Sequence, residues 1–239
     1  MGCLAFTVKG RSSVDIKFCV NTVNTFSEKT LPIIIPSMIN SGIKKEDIFI
    51  FEGGHNTRSV GEYNGVVYIK TDHNSLEYTG LIEIVENEMR ADYWFNTHDT
   101  CVMGEKFAEL VNNIPESMPD KIALKPFPSM SIGSYSYDYL LSKKELLFSI
   151  KNNDYSRGKL LQNKLWGVEN EDFILWKNNE TPTEIYNVDM ISDPNQFFVV
   201  DYINIYGGDV VRRKEYYEQL DLYKIKSNWG QSYFVGVDV

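Results

Sequence analysis

Histidine and cysteine are scarce in this chain of 239 residues, with three of each. The cysteines, Cys3, Cys19 and Cys101, are odd in number and far apart. That excludes a disulfide framework and a cysteine-built zinc cluster. No apolar run approaches the roughly 20 residues that a bilayer-spanning helix needs. The longest early cluster, Leu31 to Met38, carries two prolines. Met1 to Phe6 shows no charged segment leading into an apolar core, so no secretory signal is read there. A soluble, cytoplasmic protein without a membrane span is expected.

Positive charge is also in the minority, with 24 Lys+Arg against 33 Asp+Glu and a formal net charge of −9. The longest basic run is Arg212-Arg213-Lys214. A stripe that would grip nucleic-acid phosphates is therefore missing, and no nucleic-acid partner is expected. Three phosphate and hydrolase signatures are absent as well. There is no Gly-x-Gly-x-x-Gly after the first strand, no Gly-x-x-x-x-Gly-Lys-Ser/Thr and no Gly-x-Ser-x-Gly. What the chain does have is apolar and aromatic side chains, 43 % and 13 %, which excludes a disordered or fibrous protein. No repeat or linker-like run divides the sequence, so residues 1–239 are read as one domain.

Two periodicities alternate over the first hundred residues. Ile16 to Val20 reads as a buried strand with Asn21 to Asn24 as its polar exit. Leu31, Ile34, Ile35, Met38 and Ile39 follow at helical spacing, with Thr30 as the cap, Pro32 in the first turn, a kink at Pro36 and Gly42 at the stop. Asp47 to Phe51, Val66 to Ile69 and Tyr93 to Phe95 read as further strands. Between the last two, Asn74 and Glu77 resemble a capping box opening a helix over Leu76 to Val85. This β-α-β-loop-β-α-β order predicts a Rossmann-like, mostly parallel α/β sheet flanked by helices. Later, Lys106 to Val111, Tyr137 to Ile150, Leu160 to Val168 and Val210 to Leu220 read as helices, Ser129 to Tyr135 as a loop and Phe197 to Ile205 as a strand.

In open α/β sheets ligands bind where parallel strands end. Each histidine stands at such an exit beside an acid and an asparagine: His55 with Glu52 and Asn56, His73 with Asp72 and Asn74, His98 with Asp99 and Asn96. One reading of that set is a zinc-dependent hydrolase in which His55, His73 and His98 ligate the metal and leave a position for water.

The order of motifs resembles the GT-A class of nucleotide-sugar glycosyltransferases, loosely of the family-2 type. The resemblance rests on Asn21-Thr22-Val23-Asn24 after the first strand, Leu31 to Met38, Phe51-Glu52-Gly53-Gly54, Asn74 to Gly80 and Tyr93 to Thr100. It implies a nucleotide-sugar-binding half, 1–104, and an acceptor-binding half, 105–239. It assigns Thr22, Asn24, Glu52, Asn74, His98 and Asp99 to the donor. Thr97-His98-Asp99 stands where that class has Asp-x-Asp and keeps only the last carboxylate. Asp99 is then the implied ligand of Mg²⁺ or Mn²⁺, ions that favour oxygen donors, and His98 a diphosphate contact or nitrogen ligand. In the same resemblance Asp172, with Glu171 next, takes the proton of the acceptor hydroxyl on a glycan, glycoprotein or polysaccharide. Arg212, Arg213, Lys224 and Lys226 are the basic residues that would cover the diphosphate. Tyr135, Tyr137 and Tyr139 offer faces for a sugar, with core packing as the competing use. A carbohydrate-binding module that has lost the first Asp of its metal motif is the third reading.

Overall fold

Strand alternation divides the apolar residues of the central sheet between two cores. In β1 (Ile16–Val23), Ile16, Phe18 and Val20 enter one core and Cys19 the other. β2 (Ile48–Gly53) divides the same way, Ile48 and Ile50 against Phe51. So does β5 (Tyr93–His98), Tyr93 and Phe95 against Trp94. A sheet apolar on both faces must be covered on both, which requires helices on each side. The first face is covered by α1 (Ser27–Asn40), through Leu31, Ile34, Ile35 and Met38. The second is covered by α2 (Thr79–Glu86), through Leu81, Ile82, Ile84 and Val85. The computed structural model describes residues 14–113, 121–123, 132–151, 212–217 and 220–227.

Among the described residues seven strands form the main sheet, in the order β3-β4-β2-β1-β5-β8-β7. β4 (Val66–Lys70), β2, β1 and β5 run parallel. β3 (Ser59–Tyr63) joins β4 antiparallel, and β8 (Gly133–Ser136) joins β5 and β7 (Lys121–Ala123) antiparallel. The sheet is therefore mixed, not mostly parallel. Of its antiparallel strands, β3 lies in the loop read between Phe51 and Val66, and β8 overlaps the loop read over Ser129 to Tyr135. A second sheet pairs β6 (Cys101–Met103) with β10 (Leu222–Ser227) and β10 with β9 (Arg212–Tyr217). The helix expected over Val210 to Leu220 is corrected accordingly, because antiparallel pairing to β10 satisfies the backbone that a helix would otherwise satisfy. Tyr137 to Ile150 is two helices, α4 (Tyr137–Ser142), capped by the Ser136 hydroxyl, and α5 (Lys144–Lys151). A short α3 (Phe107–Asn112) stands where Lys106 to Val111 was read.

Helix α1 begins at Ser27, so Thr30 is not its cap and Pro32 lies beyond the first turn. Pro32 and Pro36 both fall on the exposed stripe, where a carbonyl deprived of its helical partner can turn to water. Gly42, at φ 104°, closes the helix, its N–H meeting the Ile39 carbonyl while Ile43 N–H meets Met38. Asn64 and Gly65, at φ 54° and 84°, make the two-residue turn between β3 and β4. Among the described residues no helix is long and apolar enough to cross a membrane. The segments 160–168, 169–176 and 197–205 lie outside the described residues.

Candidate functional site

The chain passes from β1 to β2 to β4 along one side, then returns to place β5 against the other side of β1. Strand order reverses at β1, and loops leaving opposite ways open a crevice there. A cleft of about 140 Å³ occupies that point, lined by Asn21, Thr22, Val23, Phe26, Leu76, Glu77, His98 and Asp99. A larger cavity of about 590 Å³ opens at the amino edge of β1. Among the described residues no parallel strand ends there, and its Lys17 is already paired with Asp15 and Asp47, so the smaller cleft is the candidate site.

Asn21 builds the floor. Its side-chain amide donates to Asn96 Oδ1 at 2.8 Å and to the Thr97 carbonyl at 3.0 Å, and its Oδ1 accepts from Gly80 N–H at 2.7 Å. Asn96 donates onward to the Glu77 carbonyl at 3.2 Å. One buried amide pair therefore fixes two strands and the turn that opens α2. Gly80 permits this approach, because a Cβ there would lie 2.2 Å from Cys19 Sγ.

Asp99 stands at the cleft's edge. Its N–H donates to the Asn21 carbonyl, and its Oδ2 accepts the Thr22 hydroxyl at 2.5 Å and the Thr30 hydroxyl at 2.7 Å. Burial pushes its carboxyl above the ordinary value, against the pull of the two hydroxyls. Thr22, His98 and Asp99, all expected at the donor, are thus brought together.

The other expected donor residues are engaged elsewhere. Glu52, 2 % exposed, bonds Ser27, Tyr68 and His55, the last at 2.5 Å. Burial would raise its carboxyl, but these three partners hold it below the usual value. Asn24 donates to the Gly54 carbonyl at 2.6 Å and closes the β1–β2 exit. Asn74 accepts from Leu76 N–H at 3.1 Å and starts a local turn ahead of α2. That turn holds Leu76 at φ 52°, a left-handed conformation costly for a branched side chain, at the cleft's lip. Glu171 and Asp172 lie outside the described residues.

The three histidines go to different partners. His55 meets Glu52, His73 lies between Ser75 at 3.1 Å and Glu83 at 3.3 Å, and His98 lines the cleft. Among the described residues no three of His, Cys, Asp or Glu are grouped to hold a metal ion, so these histidines do not assemble into a zinc site.

Glu83, 0 % exposed on α2, also accepts from Arg58 at 2.8 Å and from Asn87. Burial would raise its carboxyl, but His73 and Arg58 hold it below the ordinary 4.5. A carboxyl depressed in the folded state contributes stability above its unfolded value and loses it as pH falls through the folded one. Melting temperature should therefore drop as pH falls below 4.5, and Glu83→Gln should flatten that drop. Superimposable acid titrations of the two proteins would remove Glu83 from the account.

The Mg²⁺ or Mn²⁺ implied by the resemblance can be tested against the donors present. Thr97, in the place of the first carboxylate, is 0 % exposed. Asp99 has one oxygen filled by two hydroxyls. The described residues do not make a cage for the ion. Asn21, Thr30, Glu77 and Gly80 are the site residues that sequence reasoning missed, although Asn21 was already visible as the polar end of an apolar strand. Compared with protein-family models and with curated proteins, the chain matches none.

Proposed function

We propose that this protein is a glycosyltransferase that takes a sugar from a nucleotide-diphosphate sugar and passes it to a hydroxyl acceptor, with the donor in the β1–β5 cleft. The observation that carries this reading is the reversal of strand order at β1, which collects Thr22, His98 and Asp99 from two parallel strand ends. The parallel run β4-β2-β1-β5 with an antiparallel β8 beside β5 supports a GT-A-like architecture. The order of motifs along residues 14–104 supports it too.

Transfer needs a carboxylate to accept the proton of the attacking hydroxyl, the role proposed for Asp172 with Glu171 next. It also needs the departing diphosphate to be met by preorganised positive charge. Among the described residues the cleft lining includes Glu77 and Asp99 but no lysine or arginine. The candidate cations sit on the small sheet, Arg212 and Arg213 on β9 and Lys224 and Lys226 on β10. β10 pairs with β6, the strand that begins just past Asp99, and Lys224 stands opposite Cys101. Lys224 is 1 % exposed, so it acts as a buried field on that turn and not as a surface cover.

The enclosed Thr97 favours one further reading, a carbohydrate-binding module of the same architecture without turnover. A thermal-shift screen of UDP- and GDP-linked sugars, with and without Mn²⁺, tests both. A ligand at 100 times its Kd stabilises by about 2.7 kcal/mol. A chain of this length converts that to roughly 5–11 °C. No shift with any nucleotide sugar overturns the proposal, and a shift without transfer to any hydroxyl acceptor supports the module.

A further inference from the structure

Resting on that reading of the cleft, we propose that Asp99 is a positioning residue acting through Thr22 and Thr30, not a metal ligand, and that Thr30 sets the position of the cleft's α1 wall. Both hydroxyls donate to the same oxygen, Oδ2, at 2.5 and 2.7 Å, lengths typical of hydroxyls bound to a carboxylate. The two hydroxyl hydrogens turn their positive ends toward the position that a cation on that oxygen would occupy. The backbone of Asp99 is fixed as well, by its N–H to the Asn21 carbonyl at 3.0 Å. The residue is therefore held by β1 backbone, β1 side chain and α1 side chain together.

The connection to the ligand space runs through α1. Thr30 N–H donates to the Phe26 carbonyl at 3.1 Å, while its single hydroxyl hydrogen goes to Asp99. Phe26 N–H donates in turn to the Val23 carbonyl at 2.9 Å. Val23 and Phe26 form the apolar wall of the cleft, and Asp99 stands on its polar side. The carboxylate is thus the tie between the two walls. Thr22 and Thr30 lie 77 and 69 residues from Asp99 in sequence, so only the fold makes this bridge.

The test compares Asp99→Ala, Asp99→Asn, Thr30→Val and Thr30→Ser. An asparagine oxygen accepts both hydroxyls as the carboxylate does, and serine keeps the α1 donor. Titration with UDP should show Asp99→Ala and Thr30→Val each weakened about tenfold, with Asp99→Asn and Thr30→Ser recovering most of the loss. Hydrogen exchange at the amides of residues 26–30 should speed up in the first two variants and return to wild-type rates in the other two. This second readout needs no ligand, so it stands even if the protein binds no nucleotide. Electron paramagnetic resonance of free Mn²⁺, recorded with and without UDP, should be the same for wild type and Asp99→Asn. Loss of Mn²⁺ binding in Asp99→Asn overturns the inference, and so does unchanged exchange in Thr30→Val. Absence of binding of both UDP and, in a parallel titration, GDP by the wild type overturns the reading of the cleft instead.

Discussion

Gly80→Ala lowers the melting temperature by roughly 6–12 °C, the expected size for an overpacking cost near 3 kcal/mol in a chain of this length. The added Cβ falls 2.2 Å from Cys19 Sγ, 2.7 Å from Phe51 Cδ2 and 3.1 Å from Asn21 Oδ1. Cys19 and Phe51 are fully buried, so neither can move out to solvent without disturbing the core. Helix α2 must lift from the sheet at the point where its Gly80 N–H bonds Asn21. Alanine's better helix propensity, worth about 1 kcal/mol, opposes this and is outweighed. Adding Cys19→Ala removes the closest clash. The double variant should then be more stable than the sum of the single effects by about 1 kcal/mol or more. Additive losses in thermal or denaturant unfolding would show that the Gly80–Cys19 contact is not the cause.

Asn21→Ala is the second large effect, expected at about 3–5 kcal/mol from the usual cost of 1–3 kcal/mol per orphaned buried polar group. Gly80 N–H loses its acceptor, and Asn96 Oδ1 and the Thr97 carbonyl lose a donor. The damage sits under the cleft, so ligand affinity should fall along with stability. Asn21→Asp keeps the acceptor for Gly80 but sets a carboxylate against two oxygens. Its carboxyl should titrate above the ordinary value of about 3.9 for an aspartate. Part of the stability it loses at pH 7 should therefore return as the pH is lowered, until the acid titration of Glu83 takes over. A pH-independent difference between Asn21→Asp and wild type would contradict the proposed network.

Much of the sheet was legible because its signals are local. The apolar runs of β1, β2, β4 and β5 are dense enough to read at sight, and Leu31 to Met38 has the spacing of a packed helix face. The edge strand β3 was also encoded, in the Asn64-Gly65 turn beside Val66, but its exposed Ser59 to Tyr63 lacks an apolar face to announce it. β9 was misread because Arg212 to Tyr217 gains its strand state from pairing with β10. At the site, Thr22, His98 and Asp99 were legible as strand-exit polar residues. Glu52 and Asn74 occupy similar positions yet serve their own neighbours, and spacing does not distinguish a group facing a cleft from one already satisfied.

The scarcity of histidine and cysteine changes meaning in the same way. The sequence by itself determined an α/β chain with strands buried on both faces, and it marked the strand exits where its three histidines stand. It determined this much because hydrophobic period and turn chemistry act within a few residues. The tertiary structure decided which polar groups meet: His55 with Glu52, His73 with Glu83, and Asp99 with Thr22 and Thr30. The Asn21–Gly80 bond spans 59 positions and the Thr22–Asp99 bond 77. Contacts at that range form only when the sheet brings β1 between β2 and β5, so no local pattern in the chain records them.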